Sequence, residues 1–381
     1  MRIGLDGIPL TEPKTGVGHY TFELARALAA AAPSDEFELV YPSRYRQLFI
    51  GEDESSLPPN LRTVRVSVSA LGRRWWSFGL PRYIGRTGQE LFHGTNYDVP
   101  LWDRCPTVLT IHDLSLFLYP ETHEPRRVRR ARRRLPLMAR KAAMIITPSE
   151  SIGREVCEHL DVDPEKVVAV PEAPRRCFRP LEPGEAVEAR KRLRVEGDFL
   201  LFVGTIEPRK NLRALVDLFA EAVASERALK DLRLVIAGKR GWLTDEFFAH
   251  AEASRVRDHL HFTGYVSDED LRALYSSCRA FVYPSRYEGF GLPLLEAMAC
   301  GAPVITNSIP SIAETVGGAA RLVNMTRPGD FVQSIIELLA DEEARSRLSL
   351  AGRRHAARFS WERTAQLTLG VYSEALRRWS K

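Results

Sequence analysis

The stretch that decides the fold runs Tyr-Pro-Ser-Arg-Tyr-Glu-Gly-Phe-Gly-Leu-Pro-Leu-Leu-Glu-Ala-Met-Ala-Cys-Gly-Ala-Pro-Val-Ile, from Tyr283 to Ile305. Two carboxylates, Glu288 and Glu296, flank a glycine turn that opens a helix. Gly289 and Gly291 carry no Cβ, so the backbone turns sharply and lets a ligand approach. Pro293 suits a first helical turn, where a missing N–H costs nothing. Leu294 to Ala299 favour a helix, and Gly301 with Pro303 ends it. A buried strand is expected from Pro303 to Thr306. The N–H groups of Phe290, Gly291 and Leu292 then point out of a helix start, where they can hold a phosphate or a sugar hydroxyl. Glu296, further along the same helix, can accept two ribose hydroxyls.

Outward from this stretch the chain alternates apolar runs with helical patterns. Strands are expected at Arg2–Leu5, Phe37–Tyr41, Thr63–Val68, Glu90–His93, Val108–His112, Met144–Thr147 and Val167–Val170, with a helix over Thr21–Ala31. The irregular run Pro171 to Pro183 separates the halves. The pattern restarts with strands at Phe199–Val203, Leu232–Ala237, Leu260–Thr263 and Ala280–Tyr283, and with helices at Arg213–Ala224 and Asp268–Cys278. Such alternation predicts two parallel sheets covered by helices on both faces. Ligands of open parallel sheets gather beyond the carboxyl ends of the strands.

The remaining motifs fall at those ends. Thr-Gly-Val-Gly-His-Tyr, Thr15 to Tyr20, follows the first strand. Its third fingerprint glycine is replaced by Thr21, and Tyr41-Pro42-Ser43 stands where an acidic ribose ligand is expected, which argues against NAD. A glycine loop entering a helix still cradles phosphate with backbone amides. Gly204-Thr-Ile-Glu-Pro-Arg-Lys-Asn211 carries Arg209 and Lys210 on a turn, where two cations can neutralise a departing diphosphate. His112 ends one strand; His93 and Asn96 end its neighbour.

Together these runs resemble the signature of retaining two-Rossmann-domain (GT-B) glycosyltransferases of family 4. The resemblance implies an α/β fold of two doubly wound parallel-sheet domains facing across a cleft: an acceptor domain at 1–178, a nucleotide-sugar domain at 179–363, and a C-terminal helix at 364–381 returning towards the first. It assigns catalysis to Arg209, Lys210, Glu288 and His112. It assigns donor binding to Gly16, Gly18, Gly204, Val266, Phe290, Gly291, Leu292 and Glu296, and the acceptor to His93 and Asn96. Thr205 departs from the arginine that many relatives carry after the glycine. Ile-His-Asp-Leu-Ser with Gly-Thr-Ile-Glu-Pro-Arg-Lys-Asn is similar to bacterial mannosyltransferases that extend surface polysaccharides. The implied donor is GDP-mannose. A UDP-sugar donor, a sugar-nucleotide epimerase and an anionic-polymer binder are the alternatives.

Bulk properties bound the rest. A chain of 381 residues, 44% hydrophobic and 27% charged, is long enough for two globular cores. Its opening residues read as a strand without an apolar signal core, and no apolar run reaches membrane-spanning length, so a cytoplasmic setting is expected. Five scattered cysteines form neither a metal spacing nor a disulfide framework. Asp161-Val162-Asp163 has a metal-site spacing in a poor context before Pro164, so neither metal nor cofactor is expected. The net charge of +5 conceals a dense basic run, Arg126 to Arg134. Beside Arg73-Arg74-Trp75-Trp76 it suggests an anionic membrane face, with a polyprenyl-diphosphate-sugar acceptor and no nucleic acid.

Overall fold

A computed structural model describes residues 1–50, 57–68, 74–102, 104–182 and 184–380. The chain divides into two compact units. Unit 1 comprises Met1–Leu114, Arg129–Glu172 and Ser360–Lys381; unit 2 comprises Ser115–Val128 and Ala173–Phe359.

Among the described residues, unit 1 holds seven parallel strands: β1 (Arg2–Asp6), β2 (Glu36–Pro42), β3 (Leu61–Val66), β4 (Leu91–Gly94), β5 (Thr107–Thr110), β6 (Met144–Thr147) and β7 (Val167–Ala169). Their order is β3-β2-β1-β4-β5-β6-β7. The central strands β4, β5 and β6 are buried at every position, their polar residues His93, Thr107, Thr110 and Thr147 included. The order reverses direction between β1 and β4.

The described residues of unit 2 hold six: β8 (Phe199–Val203), β9 (Arg233–Ala237), β10 (Leu260–Gly264), β11 (Ala280–Tyr283), β12 (Val304–Asn307) and β13 (Arg321–Val323). Their order is β10-β9-β8-β11-β12-β13, again all parallel. Here the reversal lies between β8 and β11. Ligands of doubly wound sheets bind at such switch points, beyond the strand ends. The loops leaving β8 and β11 carry Gly204–Asn211 and Pro284–Gly291, the two stretches singled out in the sequence.

Three expectations shift. The first helix spans Gly16–Ala31, not Thr21–Ala31, because His19 N–H already donates to the Thr15 carbonyl at 2.8 Å. Gly16 and Gly18 therefore sit in the first helical turn and not in a loop. Residues 115–128 count with unit 2, although the chain up to 178 was expected to form one domain. The reason is aromatic: Trp242 donates its indole N–H to the Thr122 carbonyl at 2.8 Å and stacks on His123, while Tyr119 lies against Tyr287. The unit boundary falls at Glu172/Ala173, and the C-terminal helix Trp361–Trp379 belongs to unit 1.

Candidate functional site

Where β8 ends, Gly204 and Gly238 press together. A Cβ on Gly238 would stand 1.9 Å from the Gly204 carbonyl oxygen, so only glycine fits. A short 3-10 turn, Pro208–Lys210, then lifts Arg209 and Lys210. Asn211, at φ +58°, joins the turn to the helix Leu212–Ser225, a conformation asparagine tolerates well. Arg286 N–H donates to the Arg209 carbonyl at 3.0 Å and ties this loop to the one leaving β11.

The two loops meet at Glu288. Its Oε1 accepts from Lys210 Nζ at 2.6 Å and from the Tyr283 hydroxyl at 3.0 Å. Its Oε2 accepts from Arg209 Nη1 at 3.1 Å. Arg209 also donates to the Tyr287 carbonyl at 2.9 Å, and Glu207 Oε1 takes its Nε and Nη2 at 3.2 and 2.8 Å. Lys210 spends a second donor on the Tyr283 hydroxyl at 2.9 Å. Glu207, Lys210, Tyr283 and Glu288 are buried, and Arg209 is half-buried at the edge of the cluster. Burial pushes the Glu288 carboxyl up, but the charges of Arg209 and Lys210 outweigh it and hold the group at about 2. Burial likewise disfavours the Lys210 ammonium, and Glu288 overcomes this and holds it above the usual lysine range. Tyr283 is pushed up to about 12 by burial and by Glu288. Two cations thus stand with two carboxylates in one nearly neutral cluster.

Glu296 is buried on the helix Leu292–Ala299, beside this cluster in sequence but with a different partner. Its Oε1 accepts from Arg175 Nε at 2.8 Å. Gly291, the residue before that helix, sits at φ +94° and ψ 53°, and a Cβ there would stand 2.7 Å from Leu294 Cδ1. Phe290 is buried and Leu292 half-buried. Val266 is half-buried after β10, ahead of Ser267, whose hydroxyl accepts from Asp270 N–H and caps the helix Asp268–Ser277.

In unit 1, His112 lies two residues beyond β5. Its Nε2–H donates to the Thr95 carbonyl at 2.9 Å, and Nδ1 stands 3.3 Å from Glu172 Oε1. Tyr20 and Tyr97 meet the ring edge to face. These contacts on both sides hold the imidazole in place. Asn96 is half-buried next to Tyr97, which adopts φ +62°. The expectation that His93 meets an acceptor is corrected. His93 is fully buried, with Nδ1 2.7 Å from the Tyr372 hydroxyl and Nε2 2.8 Å from Thr110 Oγ1. Burial, and secondarily His112, pushes it down to about 3, so it is a neutral core link between β4, β5 and the last helix.

The membrane-facing tryptophans are corrected as well. Trp75 and Trp76 are 2% and 9% exposed and pack with Phe92 and Leu80, while Arg73 lies outside the described residues. Phe78 and Trp102 are the exposed aromatics nearby, lining a groove with Arg82, Arg86 and Arg104. The basic run forms the helix Pro125–Lys141, with Arg126, Arg127, Arg129, Arg130, Arg132 and Arg133 exposed and Arg134 bonded to Asp98. Asp163 caps a turn by accepting from Glu165 N–H at 2.9 Å. Among the described residues no group of three or more His, Cys, Asp and Glu side chains is placed to hold a metal, and no helix is long and apolar enough to cross a membrane.

Sequence reasoning missed Glu207, Tyr283, Glu172 and Arg175. The first two lie inside quoted motifs and were readable as polar residues at strand ends. Arg175 and Glu172 lie in a stretch that reads only as a linker.

Two parallel-sheet units, with charged loops at a switch point, define the two-domain GT-B glycosyltransferase class. Residues 14–173 match the model described as Glycosyltransferase Family 4, and residues 185–355 match that of Glycosyl transferases group 1. The chain is 31% identical over 386 residues to O-antigen chain mannosyltransferase B of Escherichia coli, covering 98% of this chain and 99% of that one. The chain belongs to glycosyltransferase family 4 and is a glycosyltransferase. Sucrose-phosphate synthase from Thermosynechococcus elongatus shares the fold, with a TM-score of 0.78 at 21% identity, covering 98% of each chain. Anabaena HepE in complex with UDP and glucose does so with a TM-score of 0.75 at 17% identity, covering 98% of this chain and 99% of that one.

Proposed function

We propose that this glycosyltransferase moves mannose from GDP-mannose, with retention of configuration, onto a glycan or polyprenyl-linked acceptor in surface-polysaccharide synthesis. The observation that carries the reading is the Lys210–Glu288–Arg209 cluster at the switch point of unit 2. The full-length likeness to an O-antigen chain mannosyltransferase supports the choice of sugar.

The bond between the anomeric carbon and the diphosphate oxygen breaks as the acceptor hydroxyl approaches from the same face. Negative charge grows on the β-phosphate, which takes the hydroxyl proton. An ammonium has three donors, and Lys210 spends two within the cluster, so the third is proposed for the phosphate. Arg209 adds its charge there. Glu288 holds both cations in register and turns its remaining lone pairs to the sugar hydroxyls. Glu296 receives the ribose hydroxyls, the turn at Val266 the base, and Phe290, Gly291 and Leu292 donate backbone amides. Gly204 lets the donor approach its loop. The helix start at Gly16 and Gly18 supplies further amides to the diphosphate, and His112 lines the sugar partly through its backbone. Asn96 remains the acceptor candidate. No resident metal or cofactor is invoked, because these cations supply the charge.

A thermal-shift screen across GDP-, UDP- and ADP-sugars tests the donor, since a ligand of the folded state raises its melting temperature. GDP-mannose is expected to give the largest shift, and product NMR should show retention. A larger shift with UDP-sugars overturns the base assignment, and a free epimerised sugar nucleotide overturns transfer. The exposed arginines of the Pro125–Lys141 helix are proposed to meet anionic lipid at the inner face of the cytoplasmic membrane. Failure to sediment with phosphatidylglycerol vesicles at low salt removes that part.

A further inference from the structure

Arg175 comes from the irregular segment that follows the unit boundary, and its side chain is only 9% exposed. Its guanidinium reaches two places at once. Nε donates to Glu296 Oε1 at 2.8 Å, and Nη1 donates to Asp268 Oδ1 at 2.5 Å. Its carbon lies 4.5 Å from the centre of the Phe178 ring, which supports one face of the plane. Asp268 is the first residue of its helix, directly behind Tyr265-Val266-Ser267. One rigid fork thus joins the carboxylate proposed for the ribose to the turn proposed for the base. A guanidinium fixes direction as well as charge, which a lysine ammonium does not. A carboxylate pinned at Oε1 cannot swivel about its last bond without losing that contact. Burial opposes the charge on Arg175, but Glu296 and Asp268 outweigh it and keep the group cationic.

We propose that Arg175 is a positioning residue for nucleoside recognition. It sets the orientation of the Glu296 carboxylate towards the ribose hydroxyls and keeps the Val266 turn in register with it. The proposal rests on the ribose role of Glu296 given above. Neither Arg175 nor Asp268 contacts the sugar or the diphosphate in this scheme, so their effect is confined to the nucleoside.

The test is calorimetric binding of GDP, 2′,3′-dideoxy-GDP and inorganic pyrophosphate to the full chain and to Arg175→Lys, Asp268→Asn and Glu296→Gln. The parent chain should prefer GDP over the dideoxy compound by roughly tenfold or more, as expected for hydrogen bonds to a charged group. Arg175→Lys should lose most of that preference while binding dideoxy-GDP and pyrophosphate as the parent does. In turnover it should raise KM for the donor about tenfold and leave kcat within about threefold. Asp268→Asn leaves the Arg175–Glu296 pair in place and should lose part of the preference; it serves if Arg175→Lys fails to fold. Equal losses on all three ligands, or a preference that survives both substitutions, overturn the proposal. A parent chain that ignores the ribose hydroxyls, or a Glu296→Gln variant that keeps the preference, overturns the ribose role itself. If Glu296→Gln loses the preference and Arg175→Lys keeps it, Arg175 alone is refuted.

Discussion

Glu288 is the residue on which the cluster turns. It accepts from Lys210, Arg209 and Tyr283, and so bridges the two adjacent cations. Replacing Lys210 with Met leaves a buried carboxylate short of one partner. Such a loss costs about 3–5 kcal/mol of stability. It should also slow transfer about 100- to 1000-fold at saturating donor, the usual effect of removing one charge-stabilising donor. Thermal melts and steady-state rates check the two halves separately; near-full turnover would remove Lys210 from the reaction. The pH dependence follows from the lowered carboxyl. Its ordinary value is 4.5 and the native one about 2, so its stabilisation is complete above 4.5 and is lost as pH falls towards 2. Urea midpoints of the parent should therefore drop between pH 5 and 3 more steeply than those of Glu288→Gln, which has no carboxyl to protonate there. Parallel slopes would contradict the cluster.

At the scale of elements, glycine spacing decides what the loops can do. Gly238→Ala drives a Cβ into the Gly204 carbonyl at 1.9 Å and forces the β8 and β9 exits apart. Loss of both stability and donor binding is expected, read by melting and by thermal shift with GDP-mannose. Gly16→Ala meets nothing within 4 Å at the start of its helix, so its melting temperature should hold or rise slightly. The strands were largely legible because parallel strands covered on both faces leave unbroken apolar runs, as in Phe199–Val203 and Ala280–Tyr283. The three-residue β13 was not legible, since Arg321–Val323 is too short and only partly buried to leave a pattern. The helix start at Gly16 was hidden by its own glycines, which lower helix propensity. Glu288, Lys210 and Arg209 were legible as candidates, but their mutual pairing was not, because it joins loops 78 and 79 residues apart. Arg175 had no signal at all: its partner Glu296 is 121 residues away. His93 misled because a histidine at a strand end looks the same whether it faces solvent or a buried tyrosine from the far end of the chain.

At the scale of the molecule, unit 1 draws its core in part from the helix Trp361–Trp379. Trp361 and Tyr372 are buried at 2% and 0%, Tyr372 bonds His93, and Thr364 donates to the Pro171 carbonyl at 2.7 Å. Burying one large apolar side chain contributes about 1.5–3 kcal/mol. A chain ending at Phe359 should therefore lose the cooperative melt of unit 1 while that of unit 2 persists, which calorimetry resolves. An unchanged melting profile would show that the helix is dispensable. The strap at residues 115–128 has a different bearing. It is anchored on Trp242 and Tyr287 of unit 2, yet its coding sequence sits inside that of unit 1. Recombination at a single crossover after Glu172 would give each hybrid a strap moulded to the discarded half. Lineages exchanging unit 2 in this way must either exchange two separate tracts or retain Trp242 and Tyr287 as a common landing place.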